Sequence, residues 1–226
     1  MEITLEKELD SLKQLLLTMA GEAERQLELA IRSLVERRVE LAEQVIAGDA
    51  VIDQRELEVD RRVTELIVRA QPMARDLRLV ITAIKIAPDL ERVADHAVNI
   101  AEQALRLNRL PPLKPFITIP RMASTAAGMV RDALAAFIRS DTRLAREVIA
   151  RDDEVDATHE EIFRELLTYM MADQATIPRA LAVLLVARSL ERIADQATNI
   201  CEQVVYLVEG EDIRHRHGDD EAGDRN

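Results

Sequence analysis

Four pairs of carboxylates spaced four residues apart carry the chemistry this sequence has to offer: Asp49/Asp53, Glu91/Asp95, Asp152/Asp156 and Glu191/Asp195. On a helix, residues four apart lie within about 40° of each other, so each pair sets two oxygen donors on one narrow stripe. Around Glu91 the stripe also takes in Asn99 and Glu102, and around Asp49 it takes in Glu56 and Asp60. In the later half, His159 and Phe163 occupy the places of Glu56 and Asp60. Carboxylates stacked in this way repel, and more so where two such helices adjoin. Arg or Lys neighbours on a solvated face can offset the repulsion, and so can a bound cation. With 32% charged residues, a solvated face is the ordinary reading of any one pair. Four pairs duplicated in register favour the cation.

Ligand type narrows the metal. Zinc usually takes His or Cys, and di-iron bundles use Glu-x-x-His, which neither of the two stretches around Glu91 and Glu191 contains. Oxygen-only sites suit magnesium, manganese or iron, and several ions can share bridging carboxylates. His159 could add a nitrogen ligand, although a lone helical His is more often a surface residue. Asn99 and Asn199 have two readings, capping a carbonyl across a helix pair or orienting a carboxylate. His96 faces away from the stripe and becomes Gln196 in the second copy. Cys201 replaces Ala101 and reads as a small buried residue.

The elements that must position these residues are duplicated. LERVADHAVNIAEQ at 90–103 returns as LERIADQATNICEQ at 190–203, with ten of fourteen positions identical. Ala94, Ala97 and Ala101 form a seam beside the acidic stripe that lets a neighbouring helix approach closely, while Arg92 and Gln103 point away from it. Upstream, Met19, Ala30, Val45, Asp49 and Asp53 map at an offset of 103 onto Met122, Ala133, Val148, Asp152 and Asp156. The third helices map at an offset of 100, so the second half has lost three residues between its second and third helices. Periodic apolar positions such as Leu5, Leu9, Leu12, Leu16, Met19 and Ala23 mark amphipathic helices. The sequence therefore predicts an all-α fold of two tandem, similar three-helix bundles, six helices in all. The first unit spans 1–110, a linker with four prolines 111–120, the second unit 121–210, and a polar, disordered tail 211–226. Pro72 suits the first turn of the third helix. Pro88 lies inside that helix and should kink it.

Composition bounds the function. The chain has 226 residues, 6 Gly, 7 Pro and 2% aromatics, which favours helix throughout. A net charge of −12 argues against nucleic acid or anionic lipid as a general partner. One cysteine cannot form an internal disulfide, so a reducing compartment fits. No apolar run approaches the ~20 residues of a membrane span, and the start MEITLEKELD has no signal-peptide profile. A soluble cytoplasmic protein without membrane insertion is expected. There is no Gly-rich phosphate loop, nucleophile elbow or Cys-x-x-Cys, so the chain is expected not to be an enzyme.

The repeated LER(V/I)AD-x-A-x-N-I-x-E, with QPMARDLR at 71–78, YMMAD at 169–173 and YLVEGEDIRH at 206–215, resembles the PhoU family. The resemblance covers nearly the whole chain. It implies two three-helix bundles in a cytoplasmic protein that associates peripherally with membrane complexes. It also implies a negative regulator of phosphate uptake and of phosphate-starvation signalling. Its partners would be the ATPase of the phosphate ABC transporter, a phosphate-sensing histidine kinase and a second copy in a homodimer. Some members hold multinuclear iron or zinc clusters through E/D-x-x-x-D motifs, which here fall on the four pairs already named. Where the family commonly has Gly in LERIGD, this chain has Ala94 and Ala194. Two other functions compete on the residues alone: a carboxylate-bridged metalloenzyme, and a structural helical protein with solvated acidic faces.

Overall fold

The computed structural model describes residues 2–210 and 213, with side chains from Leu5 onward. Every regular element among the described residues is helical: α1 Glu2–Val35, α2 Val39–Ala70, α3 Ala74–Asn108, α4 Thr118–Arg139, α5 Thr142–Ile149, α6 Asp152–Ala172 and α7 Ile177–Glu209. α5 and α6 together are the counterpart of α2. The architecture is thus two three-helix bundles, α1–α3 and α4–α7, with the fifth of six helical segments interrupted.

The interruption traces to one residue and its partner on α4. At the offset of 103, Arg151 stands where α2 has Gly48. A side chain on Gly48 would meet Gln26 Nε2 at 3.2 Å, so α2 runs close under α1 there. Arg151 cannot do the same. Its Nη1 donates to Asp132 Oδ2 on α4 at 2.6 Å, and its own amide donates to Val148 three residues back rather than four. That tightened turn ends α5 and starts α6 at Asp152. Asp141 caps the start of α5, its Oδ1 accepting from the Leu144 amide at 3.0 Å.

The duplicated apolar register becomes the duplicated core. Met19, Ala23, Ala30 and Leu34 on α1 and their counterparts Met122, Ala126, Ala133 and Phe137 on α4 are all buried. α3 and α7 are the central helices: each packs on the other two segments of its own bundle, and they pack on each other, while α1 also meets α4. The buried apolar residues of both halves therefore form one continuous core. Arg78 Nε ties the halves further by donating to the Leu207 carbonyl at 3.1 Å.

The connections follow from chain chemistry. Arg37 donates to the carbonyls of Leu107, Asn108 and Leu110, satisfying orphan acceptors at the end of α3. Within the proline-rich segment α4 already begins at Thr118, so Pro120 sits in a first turn, where its missing amide costs no helical bond. Pro72 lies in the turn ahead of α3 rather than inside it, and α3 continues unbroken through Pro88. In the second half a 3-10 turn, Gln174–Thr176, leads directly into α7. The tail expected at 211–226 lies outside the described residues except for Ile213, which is buried. No helix among the described residues is long and apolar enough to cross a membrane.

Candidate metal centres

Each acidic face is assembled from one pair on the second segment of a bundle and one pair on its central helix. Ala94, Ala97 and Ala101 on α3, and Ala194, Ala197 and Cys201 on α7, are wholly buried. The carboxylates beside the seam lie within electrostatic reach of those on the second segment.

In the first half, burial raises the proton affinity of Asp49, and Asp53 and Asp95 raise it further. Glu91 is pushed up to about 7, first by burial and then by Asp95, Glu56 and Asp53, with Arg92 opposing. Glu56 is raised by burial together with Asp60, Asp53 and Asp95. In the second half, Asp152 is pushed up to about 6 by burial and by Asp156, Asp195, Asp153 and Glu191. Asp195 is raised by burial, with Glu191 and Asp156 adding to it against Arg192. The four carboxylates of each half thus lie within electrostatic reach of one another.

The two faces are not identical. Asp49 lies within α2, whereas Asp152 is the first residue of α6, where unpaired amides and the helix dipole favour an anion. His159 Nδ1 lies 3.8 Å from Glu191 Oε2, so this half-buried histidine, read from sequence as a surface residue, borders the second face. Arg192 Nη1 reaches Asp195 Oδ2 at 3.4 Å. Among the described residues neither Asn99 nor Asn199 hydrogen-bonds a carbonyl or a carboxylate, and Asn99 instead lines a cleft between α3 and α7. His96 lines the same cleft, and its proton affinity is lowered by burial, with Arg192 and Arg92 adding to the effect against Asp95.

All eight donors are carboxylates, the oxygen ligands that hard cations prefer. The raised proton affinities mark gathered negative charge, which a proton relieves. Among the described residues no group of three His, Cys, Asp or Glu side chains stands close enough to hold a metal ion.

Duplicated three-helix bundles with an in-register carboxylate face on each define a class of helical protein. A family model described as PhoU domain matches twice, at residues 16–104 and 119–204. The chain is 44% identical over 211 residues to a phosphate-specific transport system accessory protein PhoU homolog of Aquifex aeolicus, covering 93% of this chain and 96% of that one. It is 38% identical to the phosphate-specific transport system accessory protein PhoU of Escherichia coli, covering 94% and 88%. The crystal structure of PhoU from Pseudomonas aeruginosa superposes with a TM-score of 0.87 at 39% identity, over 91% of this chain and 99% of that one. That of the phosphate transport system regulatory protein PhoU from Streptococcus pneumoniae gives 0.85 at 30% identity, over 92% and 99%. The chain belongs to the PhoU family.

Proposed function

We propose that this chain is an accessory protein of phosphate transport that represses phosphate uptake and phosphate-starvation signalling when phosphate is plentiful. It does so as a cytoplasmic adapter, without enzymatic turnover, between the transporter's ATPase and a sensor histidine kinase at the inner face of the membrane. The observation that carries the reading is the near full-length match to relatives named as accessory proteins of phosphate-specific transport.

Asp49, Asp53, Glu91 and Asp95 hold a cation in one half, and Asp152, Asp156, Glu191 and Asp195 in the other. Iron, zinc, manganese and magnesium are the candidates, and bridging carboxylates allow more than one ion per face. The cation's role is to fix the shape and charge of a surface that a partner reads. A homodimer forms as well: Phe163, Leu167 and Met171 follow one another at four-residue spacing on α6 and are 45%, 40% and 79% exposed. That apolar stripe suits a second copy. Sedimentation of a monomer at micromolar and higher concentration would remove this part of the reading.

The test of the regulatory site is the double variant Glu191→Ala/Asp195→Ala. Removing like charges from a crowded face relieves repulsion, so the protein should stay helical and soluble. Repression of phosphate-starvation genes in phosphate-rich medium, and capture of transporter or kinase, should weaken together. A variant that folds, captures partners and represses normally would detach the function from this face. Turnover of a substrate by the isolated protein would instead favour a carboxylate-bridged metalloenzyme.

A further inference from the structure

Between α3 and α7 lies a cleft of about 360 Å³ that the carboxylate faces do not use. α3 lines it with His96, Asn99 and Gln103, and α7 with Arg188, Ser189 and Arg192. Arg188 and Arg192 are one helical turn apart, so their like charges share a face. Arg192 has a partial partner in Asp195 at 3.4 Å. Among the described residues Arg188 has neither a hydrogen bond nor an ion pair.

The internal duplication shows what is missing. At the offset of 100, Arg188, Ser189 and Arg192 correspond to Pro88, Asp89 and Arg92. In that first copy Asp89 is 7% exposed, and its Oδ1 accepts from Arg92 Nη1 at 3.3 Å. The first copy supplies its own anion to the arginine. The second copy has exchanged that carboxylate for Ser189 and gained the guanidinium of Arg188, a swing of two charges toward positive. Among the described residues Arg188 is thus left without an anion of its own, whereas Arg192 keeps Asp195.

Gln103 says more about that anion. Its side chain is 8% exposed, it lines the cleft, and its Oε1 has no hydrogen-bond donor. Gln203, its repeat, is orphaned in the same way but has no counterpart of the free arginine. A fitting ligand brings acceptor oxygens for the arginines and one O–H for Gln103. Inorganic phosphate keeps at least one proton at neutral pH, sulfate keeps none, and a phosphate monoester has largely lost its own. We propose that the α3–α7 cleft binds inorganic phosphate, with Arg188 and Arg192 donating to its oxygens and Gln103 Oε1 accepting its O–H. This stands on the cleft alone, and its failure would leave the regulatory reading untouched.

The test is calorimetric titration of the full chain, treated with chelator so that no metal bridges the ligand to the carboxylate faces. Inorganic phosphate, sulfate and methyl phosphate are titrated at neutral pH. Phosphate should saturate a single site. Sulfate and the monoester should bind at least about tenfold more weakly, because each leaves the buried Gln103 acceptor unpaired. Arg188→Gln, on an exposed side chain, should weaken phosphate binding at least about tenfold. Ser189→Asp, which installs the anion of the first copy, should abolish it, with helical content unchanged by circular dichroism. Absence of saturable phosphate binding in the millimolar range overturns the proposal. So does binding that both variants leave intact, or binding of sulfate or the monoester as tight as that of phosphate.

Discussion

Protons and cations compete for the same oxygens at Glu91 and Asp152. Folded Glu91 holds its proton up to about 7, against an ordinary value of 4.5. Across that window the folded state binds more protons than the unfolded chain, so stability falls as pH rises. Asp152 adds a second contribution of the same sign between 3.8 and about 6. Chelator-treated protein should therefore lose melting temperature as pH climbs from 4.5 to about 7, and Glu91→Gln should flatten the slope. Added manganese or magnesium should restore the loss at the upper end, since a cation then replaces the proton. A melting temperature indifferent to cations across this range would make the faces ordinary acidic surface. The carboxylate pairs were legible from spacing because helix periodicity alone places them on one stripe. The approach of His159 to Glu191 was not, since it depends on how α6 packs on α7. Nor was the exchange of Asp89 for Ser189 meaningful before α3 and α7 were seen to pair.

At the scale of elements, the duplicated apolar register foretold two three-helix bundles because the buried positions are the ones restated. Met19 with Met122 and Ala30 with Ala133 all end in the core. What the register could not show is the break between α5 and α6. The local sequences AGD at 47–49 and ARD at 150–152 differ by a single residue. The consequence of that residue is set by α4, where Asp132 accepts from Arg151 and Gly128 leaves room for it: a side chain on Gly128 would meet Arg151 Nη2 at 3.1 Å. Pro88 is the converse case. Proline inside a helix removes a backbone hydrogen bond and argues locally for a break, and α3 runs on as helix past it, packed against α1, α2 and α7. In both places the deciding contacts come from residues far away in the chain.

The whole molecule behaves as one unit because its central helices are shared. α3 and α7 are each the core helix of one bundle and a wall of the other, and the apolar cluster runs through both without a gap. A proline-rich connection suggests two separable modules, but separation would expose the apolar surface along the α3–α7 contact to water, at about 25 cal/mol for each Å². Unfolding should accordingly be a single transition, with coincident midpoints whether followed in the first half or the second. Leu190 and Ile193 on α7 test this directly, since both are completely buried. Leu190→Asp/Ile193→Asp places two unpaired charges in the core, a loss of at least about 4 kcal/mol, enough to unfold a domain of ordinary stability. If the halves were independent, α1–α3 would remain folded in this variant, and amides of Leu16, Val59 and Ala87 would keep their protection from hydrogen exchange. With one shared core, protection should vanish in both halves together. Retention of native exchange rates in α1–α3 would show that the α3–α7 contact joins two bundles that stand on their own.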